Sequence, residues 1–561
     1  MFGEGGCWRA KQRIDLYWQL WAVAGNSLGA VNLIPVNRRW PATVPILPTI
    51  PATLIAKVSV NLAGLRNIPS WAAQYTKSCA GRNAKKRGLK RNQPSNMRDY
   101  LNESLIHDPL HGYIPFSTVT APEGGTCELD IIDDPWVQRM RQIHQLQTAW
   151  WVFPSAEHTR FQHVIGVMHL ASRAVAKLYD SLRDVCPDVP SRGYVESLLR
   201  MAGLLHDVGH GPFGHFFDAH FLADFGLTHE TLGSTIIRER LGDRLRQLRH
   251  NPYSSLTDDE QLNPDEVAWL IARPQQGADQ DRPRWLQLLR SLLSGIYTID
   301  NMDFVLRDSY MSGYNTRAFD LERLLHYSFF TDQGLTIHDR GMGALMRFMS
   351  VRAELFSSVY FHRTVRAIDL TLADLFAAGK SYLFPGNPLD NLEAYRQFTE
   401  WTFLVDVSRW PSSDDVEQRA LGERWQQILR RQIPWKMACE RIRIFSEGNP
   451  EASSIFSDEE LVETKLRENL PAELSCMPLR VDIARHIHRP HTRGPAAGQN
   501  FLYDSARCRV RTLTSHELFE RLPVSQRICR VYVQDKRTAT DVTRALDALL
   551  SDVGLDDATN M

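Results

Sequence analysis

The chain has 561 residues, of which 43% are hydrophobic and 10% aromatic, a length and composition that allow roughly two to four domains with a sizeable core. Lys plus Arg equals Asp plus Glu at 65 each, so overall charge gives no argument for a nucleic-acid or membrane-surface protein. The eight cysteines are dispersed without a CxxC pair, which argues against a thiolate zinc site and fits a reducing compartment. No apolar run reaches the roughly 18–20 residues of a membrane-spanning helix. We therefore expect a cytoplasmic protein that does not enter a membrane.

Residues 1–96 differ in composition from the rest of the chain. They contain a proline-rich segment at 35–54 and end in a basic run at 81–97, while Glu4 and Asp15 are their only acids. This composition is typical of a disordered, solvated segment. The basic run is either a nucleic-acid or targeting patch or part of a translated upstream extension, since organised sequence begins at Met97.

From Met97 onward, apolar residues recur at helical spacing and alternating strand patterns are few. The sequence therefore predicts a mainly α fold with a core at 97–380 and a smaller mixed α+β C-terminal lobe at 381–561. A proline- and glycine-containing loop near 488–499 interrupts this lobe. In chain order the predicted helices are 136–146, 161–178, 194–205, 264–272, 284–310, 342–378, 390–406 and 415–432, and the clearest predicted strands lie near 329–338 and 527–534.

The stretch LLHDVGHGPFGH at 204–215 is where an apolar helix ends in ionisable residues. His206 and Asp207 follow the apolar stripe directly, and Gly209 and Gly211 then stop the helix. Buried ionisable groups without partners are costly, so a core helix has no use for this ending. The pattern indicates metal binding or proton transfer at a turn that a substrate can approach closely.

A metal site needs further ligands, and the chain offers His163 in RFQH and Asp300 in a helical segment. Two histidines and two aspartates form a mixed nitrogen and oxygen set suited to Fe, Mn, Zn or another divalent ion. Such an ion lowers the pKa of bound water and so supplies a nucleophile near neutral pH.

Several motifs together resemble one known family. HDVGHGPFGHFFD at 206–218, VFPSAEHTRFQHVIGVMHLA at 152–171, THE at 228–230 and DNMDFVLRD at 300–308 are similar to motifs of the HD-domain phosphohydrolases. Within that superfamily they resemble the deoxynucleoside triphosphate (dNTP) triphosphohydrolases that include the SAM-and-HD-domain proteins. HDPLHGYIPF at 107–116 also resembles the start of that catalytic core. The resemblance is firm over about 105–375, extends more weakly to about 535, and includes no SAM domain.

The resemblance implies a multi-helix HD-domain core that hydrolyses dNTPs at the α-phosphorus to deoxynucleoside and triphosphate. It also implies a role for particular residues of this chain. Metal ligands would be His163, His206, Asp207 and Asp300, and catalytic residues would be His210, His215, Asp218 and His229, with His215 as the general acid and Asp218 orienting it. Substrate would contact Gln145, Leu146, Arg160 and Asp308, with Gln145 and Leu146 lining the deoxyribose, Arg160 contacting phosphate and Asp308 binding the 3′-hydroxyl. An activating nucleotide between subunits would contact Asp133, Gln138 and Arg141.

Three positions depart from the family pattern. Asn301 stands where the family has a phosphate-contacting Lys, Phe304 stands in place of a Tyr, and Arg366-Ala367 stands where a Tyr-Gln pair borders the sugar and base. These departures leave two further interpretations open. One is a phosphodiesterase or phosphatase acting on another nucleotide or on single-stranded nucleic acid, and the other is a nucleotide-sensing module with weak activity.

The expected partners follow from the same resemblance. We expect a dNTP substrate, an activating nucleotide, a divalent metal ion (Fe, Mn, Zn or Mg) and a homo-oligomer, either dimer or tetramer. Nucleic acid finds no support in the core sequence.

Overall fold

The computed structural model describes residues 103–119, 125–272, 281–446, 451, 454–488 and 500–552. Every described residue belongs to the second of the two units into which the chain divides, the compact unit at 96–561. The predicted extension at 1–96 and most of the predicted loop at 488–499 therefore lie outside the described residues.

The described part of the second unit is mainly helical, as the sequence predicted. Its helices are α1 (Glu128–Ile132), α2 (Pro135–Gln138), α3 (Arg160–Val185), α4 (Arg192–Leu205), α5 (His215–His220), α6 (His229–Glu239), α7 (Gly242–Gln247), α8 (Pro264–Ile271), α9 (Arg284–Leu289), α10 (Ile299–Met311), α11 (Leu321–His326), α12 (Met342–Leu355), α13 (Arg363–Leu383), α14 (Leu392–Gln397), α15 (Glu400–Arg409), α16 (Val416–Leu429), α17 (Glu459–Glu468), α18 (Glu517–Glu520) and α19 (Ala539–Asp552).

Three small sheets accompany these helices. The strands are β1 (Glu103–Asp108), β2 (Gly112–Ser117), β3 (Ser328–Phe330), β4 (Leu335–His338), β5 (Lys436–Phe445), β6 (Leu479–Ile487), β7 (Asn500–Asp504), β8 (Arg509–Thr512) and β9 (Ser525–Val533). β1 and β2 form a hairpin, the second sheet has the order β3-β4-β7-β8, and the third has the order β5-β9-β6. Only β4 and β7 pair in parallel. The predicted strands near 329–338 and 527–534 are confirmed as β3, β4 and β9.

The centre of the helical part is the pair α3 and α4, whose sequences explain why they form. Thr159 and Gln162 cap the start of α3 reciprocally, and Ser191 accepts a hydrogen bond from the backbone N–H of Tyr194 at the start of α4. Nearly every residue of α4 is buried, and α3 carries a long buried stripe. The helices predicted at 161–178 and 194–205 are therefore confirmed, and they carry His163 and lead into His206.

Four predicted helices are shorter or interrupted. The segment 136–146 forms only α2 and a 3₁₀ turn at Arg139–Gln142, since Ile143 is already extended. The segment 284–310 divides into α9 and α10, because Thr298 is extended and caps α10 with its side chain. A π-helical turn at Phe356–Tyr360 separates α12 from α13. Thr399 likewise caps a new helix after α14, so 390–406 is also divided.

The main hydrophobic core is continuous from the first hairpin to the C-terminal part of the chain. It includes Phe376 on α13 and Phe403 on α15, so apolar packing crosses the region of the boundary predicted near residue 380. A second, smaller core lies between the β5-β9-β6 sheet and helices α17 and α19. The division into domains at 380 stays a prediction. None of the described helices has both the length and the apolar character needed to span a bilayer.

Candidate active site

The loop after α4 is held in a fixed shape by close backbone packing. His206 ends the helix, and its Nδ1 lies 2.9 Å from the carbonyl oxygen of Gly203, which leaves Nε2 facing away from the helix. A Cβ on Gly209 would come within 2.0 Å of the carbonyl oxygen of His229, so only glycine allows this approach of the loop to α6. Gly214 has a φ of +55° and lies against the guanidinium of Arg160.

His163, His206, Asp207 and Asp300 converge at this loop. His163 Nε2 lies 3.3 Å from His206 Nε2 and 3.1 Å from Asp300 Oδ1. His206 Nε2 lies 3.4 Å from Asp207 Oδ1 and 3.7 Å from Asp300 Oδ1. All four residues predicted as metal ligands are therefore brought together, three of them within the spacing of a candidate metal cluster.

A buried carboxylate orients the first of these histidines. His163 Nδ1 lies 2.8 Å from Asp303 Oδ2, and Asp303 Oδ1 lies 2.7 Å from His111 Nε2. Arg307 donates hydrogen bonds to both oxygens of Asp303 and also to Asp108. The carboxylate of Asp303 is fully buried, and these hydrogen bonds restrict its rotation. A carboxylate on one ring nitrogen fixes the other nitrogen as a metal ligand. Sequence reasoning missed Asp303, although its spacing of three from Asp300 places both on one side of α10.

The protonation of the cluster fits a site for a cation. Burial alone lowers the pKa of His163, but its hydrogen bonds to the carboxylates of Asp300 and Asp303 raise it to about 10. Burial opposes ionisation of Asp207, yet His206 and Arg160 hold its pKa well below its ordinary value. The carboxylates of this cluster therefore favour a positive charge bound between the two imidazole rings. Two imidazole nitrogens and two carboxylates are a donor set that fits Fe, Mn or Zn and suits Mg less well.

Beside this cluster lies a group of three histidines and one aspartate. His229 Nδ1 lies 2.5 Å from Asp218 Oδ2, whereas His215 Nδ1 lies 3.4 Å from the same oxygen. The ring of His210 stacks on that of His229 at 3.7 Å. The four predicted catalytic residues are therefore adjacent, and Asp218 holds His229 more closely than His215.

The environment divides the roles that these histidines can take. His210 is fully buried, and burial together with Arg160 and His229 holds its pKa well below its ordinary value. Its imidazole is therefore neutral at pH 7. His215 is exposed on 57% of its side chain, and both His215 and His229 face the cavity described next.

A cavity of about 720 Å³ opens from the metal cluster. Its polar wall near the cluster includes two arginines. Arg160 Nη1 contacts Asp207 Oδ2 at 2.6 Å, so Asp207 neutralises its charge. Arg352 has no hydrogen-bond partner on Nε or Nη1 among the described residues, and burial lowers its pKa. Arg352 is thus a cation of this wall whose Nε and Nη1 donors are unused. The sequence analysis did not identify it, because α12 carries no recognisable motif.

The predicted sugar-contacting residues line the same cavity. Gln145 and Leu146 both face it, and Gln145 Oε1 is buried without a hydrogen-bond partner among the described residues. Asp308 is nearly fully buried and receives His158 Nε2 at 2.7 Å on one oxygen and the hydroxyl of Tyr360 on the other. Burial and Asp308 raise the pKa of Tyr360 well above its ordinary value, so the phenol stays protonated and donates.

Arg366 and Ala367, which stand where the family has a Tyr-Gln pair, differ in their position relative to the cavity. Ala367 does not line the cavity and packs instead with Trp435 and Tyr532. Because a helix turns about 100° per residue, positions 365, 366 and 369 of α13 face the cavity while 367 faces the C-terminal sheet. Tyr360, in the π-helical turn before α13, also lines the cavity and donates its hydroxyl to Asp308. Asn301 and Phe304 do line the cavity, as expected from their sequence positions.

The residues predicted to bind an activating nucleotide lie together near α2. Gln138 Oε1 accepts a hydrogen bond from Arg141 Nε at 2.8 Å, and Gln138 Nε2 lies 3.4 Å from Asp133 Oδ1. The guanidinium of Arg141 lies over the ring of Phe161 at 3.6 Å. The triad is therefore a contiguous surface feature.

Comparison with known proteins agrees with this geometry. Residues 160–285 match the HD domain family, a range that contains three of the four converging residues, His163, His206 and Asp207. The chain therefore contains a segment that matches the HD domain family, and this segment carries most of the candidate metal cluster.

Individual proteins that resemble this chain give a more specific comparison than the family match. The chain is 26% identical over 481 residues to the deoxynucleoside triphosphate triphosphohydrolase SAMHD1 of Bos taurus, covering 77% of this chain and 76% of that protein. It is 25% identical to the Homo sapiens protein of the same name, covering 76% of this chain and 70% of the other, and 28% identical to the uncharacterized protein YwfO of Bacillus subtilis, covering 59% and 71%. A hypothetical protein from Aquifex aeolicus has the same fold, with a TM-score of 0.57, 21% identity, and 79% and 100% of the two chains covered.

Proposed function

We propose that this protein is a metal-dependent dNTP triphosphohydrolase that cleaves at the α-phosphorus and releases deoxynucleoside and inorganic triphosphate. The observation that carries the proposal is the meeting of His163, His206, Asp207 and Asp300 with a second histidine group at one end of a cavity that contains an uncommitted arginine. The names of the SAMHD1 relatives support the substrate class.

The metal would be held by His163, His206, Asp207 and Asp300. A divalent ion bound there supplies Lewis-acid activation of water and phosphate. The chain's own contribution is orientation. Asp303 fixes the ring of His163, the carbonyl of Gly203 fixes that of His206, and Arg160 holds one oxygen of Asp207 so that the other faces the site.

Arginine side chains bind the triphosphate. Arg160 pairs with Asp207 and so lies at the end of the cavity next to the metal ligands, where it contacts the α-phosphate. Arg352 has unused donors in a buried setting, where hydrogen bonds to a charged phosphate are strong. It supplies the positive charge that a lysine at position 301 would have given. His229, oriented by Asp218, adds a further donor.

His215 donates the proton to the departing 5′ oxygen. Its ring faces the cavity, and Asp218 lies 3.4 Å from its Nδ1, so Nε2 is the nitrogen free to reach the substrate. General acid catalysis of this kind typically contributes 10²–10⁴-fold. Neutral, buried His210 packs against His229 and holds that ring in place.

The deoxyribose lies against Leu146 and Gln145, with Asp308 accepting a hydrogen bond from the 3′-hydroxyl. The Oε1 of Gln145, which has no partner among the described residues, lies in the same wall. Both oxygens of Asp308 are already held, by His158 and Tyr360, so the carboxylate is fixed before the substrate arrives.

The test is a product assay on the full chain. Metal-stripped protein is reloaded with Fe²⁺, Mn²⁺, Zn²⁺ or Mg²⁺ and given each dNTP and NTP, with and without GTP or dGTP as activator. Products are resolved as nucleoside plus triphosphate or as monophosphates. Release of triphosphate from dNTPs is the expected result.

Controls separate the alternatives. His206→Ala and Asp207→Ala should abolish both activity and metal binding, whereas Asp243→Ala, an exposed aspartate of α7, should change neither. Monophosphate products would favour a phosphodiesterase or phosphatase instead. Nucleotide binding without turnover under every metal would favour a sensing module.

We also propose that Asp133, Gln138 and Arg141 bind an activating nucleotide between subunits of a dimer or tetramer. The hydrogen bond between Gln138 and Arg141 holds two polar side chains in one orientation at the surface. Sedimentation with and without dGTP tests this proposal, and an Arg141→Ala variant should lose the nucleotide-dependent change in mass.

A further inference from the structure

The cavity wall carries a polar network that the proposed phosphate chemistry does not use. Thr148 Oγ1 donates to Asp369 Oδ1 at 2.6 Å, and Arg366 Nη1 donates to Asp369 Oδ2 at 3.3 Å. Arg366 is in turn held by Asp482 of β6 through Nε and Nη2. Among the described residues, no hydrogen bond joins this network to the metal cluster or to the catalytic histidines.

The network is accessible from the cavity. Thr148, Arg366 and Asp369 all line it, and the side chains of Arg366 and Asp369 are exposed on 28% and 15% of their surface, whereas Asp482 is exposed on only 2%. Burial raises the pKa of Asp369, and Arg366 and Thr148 only partly offset this effect. The carboxylate therefore has acceptor positions to spare and gains from further N–H donors.

The donors of Arg366 are also incompletely used. A guanidinium has five N–H groups, and the ion pairs with Asp482 and Asp369 engage one on each nitrogen. One N–H on each Nη atom remains. Arg366 and Asp369 stand one helical turn apart on α13 and touch each other, so a donor and an acceptor lie side by side at the cavity surface.

An apolar surface adjoins this donor and acceptor pair. Leu146 and Val365 belong to one apolar cluster, and both line the cavity. Val365 directly precedes Arg366. A flat aromatic ring resting on this surface would present its polar edge to the network.

We infer that Arg366 and Asp369 recognise the Watson–Crick edge of a guanine base, so that the preferred substrate is dGTP. This inference rests on the proposed dNTP triphosphohydrolase function. Guanine presents the O6 acceptor beside the N1–H and N2–H donors, and these match the arginine and the carboxylate in turn. Adenine presents the lone pair of N1 to a carboxylate, and thymine and cytosine each offer it a single donor.

The test compares nucleotides and a complementary variant. The native chain should release triphosphate from dGTP with a kcat/KM about ten- to hundredfold above that for dATP, dCTP or dTTP. Asp369→Asn replaces one acceptor with an N–H donor, which matches the O2 acceptor that xanthine carries in place of the guanine amino group. This variant should prefer deoxyxanthosine triphosphate to dGTP, reversing the order of the native chain.

Asp374→Asn on the same helix is the matched control, because Asp374 pairs with Arg480 outside the cavity and should leave the preference unchanged. If Asp369→Asn lowers turnover of every nucleotide equally, the network only joins α13 to β6 and the inference is overturned. If the native chain treats all four dNTPs alike, the inference also fails while the proposed function stands. Absence of triphosphate from every nucleotide would instead overturn the proposed function.

Discussion

At the scale of single residues, the histidines of the candidate site differ in their surroundings, as the proposed division between cation binding and proton transfer requires. His163 is held between two carboxylates, whereas His210 is buried beside Arg160 and stays neutral. His215 differs from both, since more than half of its side chain is exposed and it faces the cavity. The same side-chain type thus has three different environments, which suit the three roles proposed for it.

The proposed role of His215 as proton donor gives a prediction about the leaving group. His215→Ala should lower kcat about 10²–10⁴-fold on a normal dNTP. A dNTP with sulfur in the bridging 5′ position departs as a thiolate, which needs no protonation, so the variant should recover most of its loss on that substrate. Rates of triphosphate release from the two substrates measure this recovery. His229→Ala is the comparison, and equal losses on both substrates for His215→Ala would remove it from the acid role.

The local motifs allowed much of the site to be predicted from sequence. His206, Asp207, His210 and His215 lie within one short stretch, so their proximity follows from the loop itself. Asp303, Arg352 and Tyr360 were not predicted, because each reaches the site through packing of α10, α12 or the π-helical turn. The direction of Ala367 was likewise not predicted, because it depends on where α13 begins.

At the scale of elements, the position of α6 against the loop after α4 sets the distance between the metal cluster and His229. Gly209 allows this contact, since any Cβ there would lie 2.0 Å from the carbonyl oxygen of His229. The first turn of α6 also carries the residue that Asp218 orients. The loop after α4 and the first turn of α6 therefore position the candidate catalytic residues together.

Gly209→Ala should separate the two elements. We expect a loss of about 1–3 kcal/mol in the free energy of unfolding from overpacking. Turnover should fall about 10²-fold, because displacement of a catalytic group by about 1 Å costs that much. Gly343→Ala on α12 is the control, since a Cβ there meets no atom within 4 Å and stability should stay equal or rise. Urea unfolding and dNTP turnover measure both effects, and an unchanged Gly209→Ala would contradict the packing argument.

The β5-β9-β6 sheet is held in part by one carboxylate. Glu451 accepts hydrogen bonds from Arg485 on β6 and from Ser525 and Arg527 on β9. The hydrogen bond from Arg485, with the others, lowers the pKa of Glu451 from its ordinary value of 4.5 to about 2. The carboxylate therefore bridges neighbouring strands.

A folded-state pKa below the unfolded value means that this contribution is fully present above pH 4.5 and is lost as the pH falls towards 2. Glu451→Gln should lower stability by about 1 kcal/mol at pH 7. The difference from the native chain should shrink as the pH drops through this window. Urea titrations at several pH values measure it, with Glu468→Gln as an exposed control. A difference that does not change with pH would contradict the assignment.

At the scale of the whole molecule, the second compact unit contains every residue to which we assign a role. Its main core is continuous across the predicted boundary near residue 380, and the C-terminal sheet reaches the cavity through the ion pair of Asp482 with Arg366. Sequence periodicity indicated the helices of this part of the chain but not this connection, since a long-range ion pair leaves no local pattern.

A chain that begins at Met97 should therefore keep the activity of the full chain. All proposed metal, substrate and catalytic residues lie after that position, and the unit at 96–561 is compact by itself. Steady-state turnover of dNTPs by the two chains, with and without activating nucleotide, makes the comparison. Loss of activity on truncation would assign a functional role to residues 1–96.

Arg139 has consequences for communication across the molecule. Its Nη1 donates to the carbonyls of Val208 and His210, and its Nη2 donates to those of Tyr395 and Phe398. The same residue directly follows Gln138 of the proposed activator triad. If a nucleotide bound at the proposed triad shifts this 3₁₀ turn, the hydrogen bonds of Arg139 to the loop after α4 change with it, so the proposed activator site and the proposed substrate site would be thermodynamically linked. The linkage is reciprocal, so substrate bound in the cavity should raise the affinity of the chain for its activator.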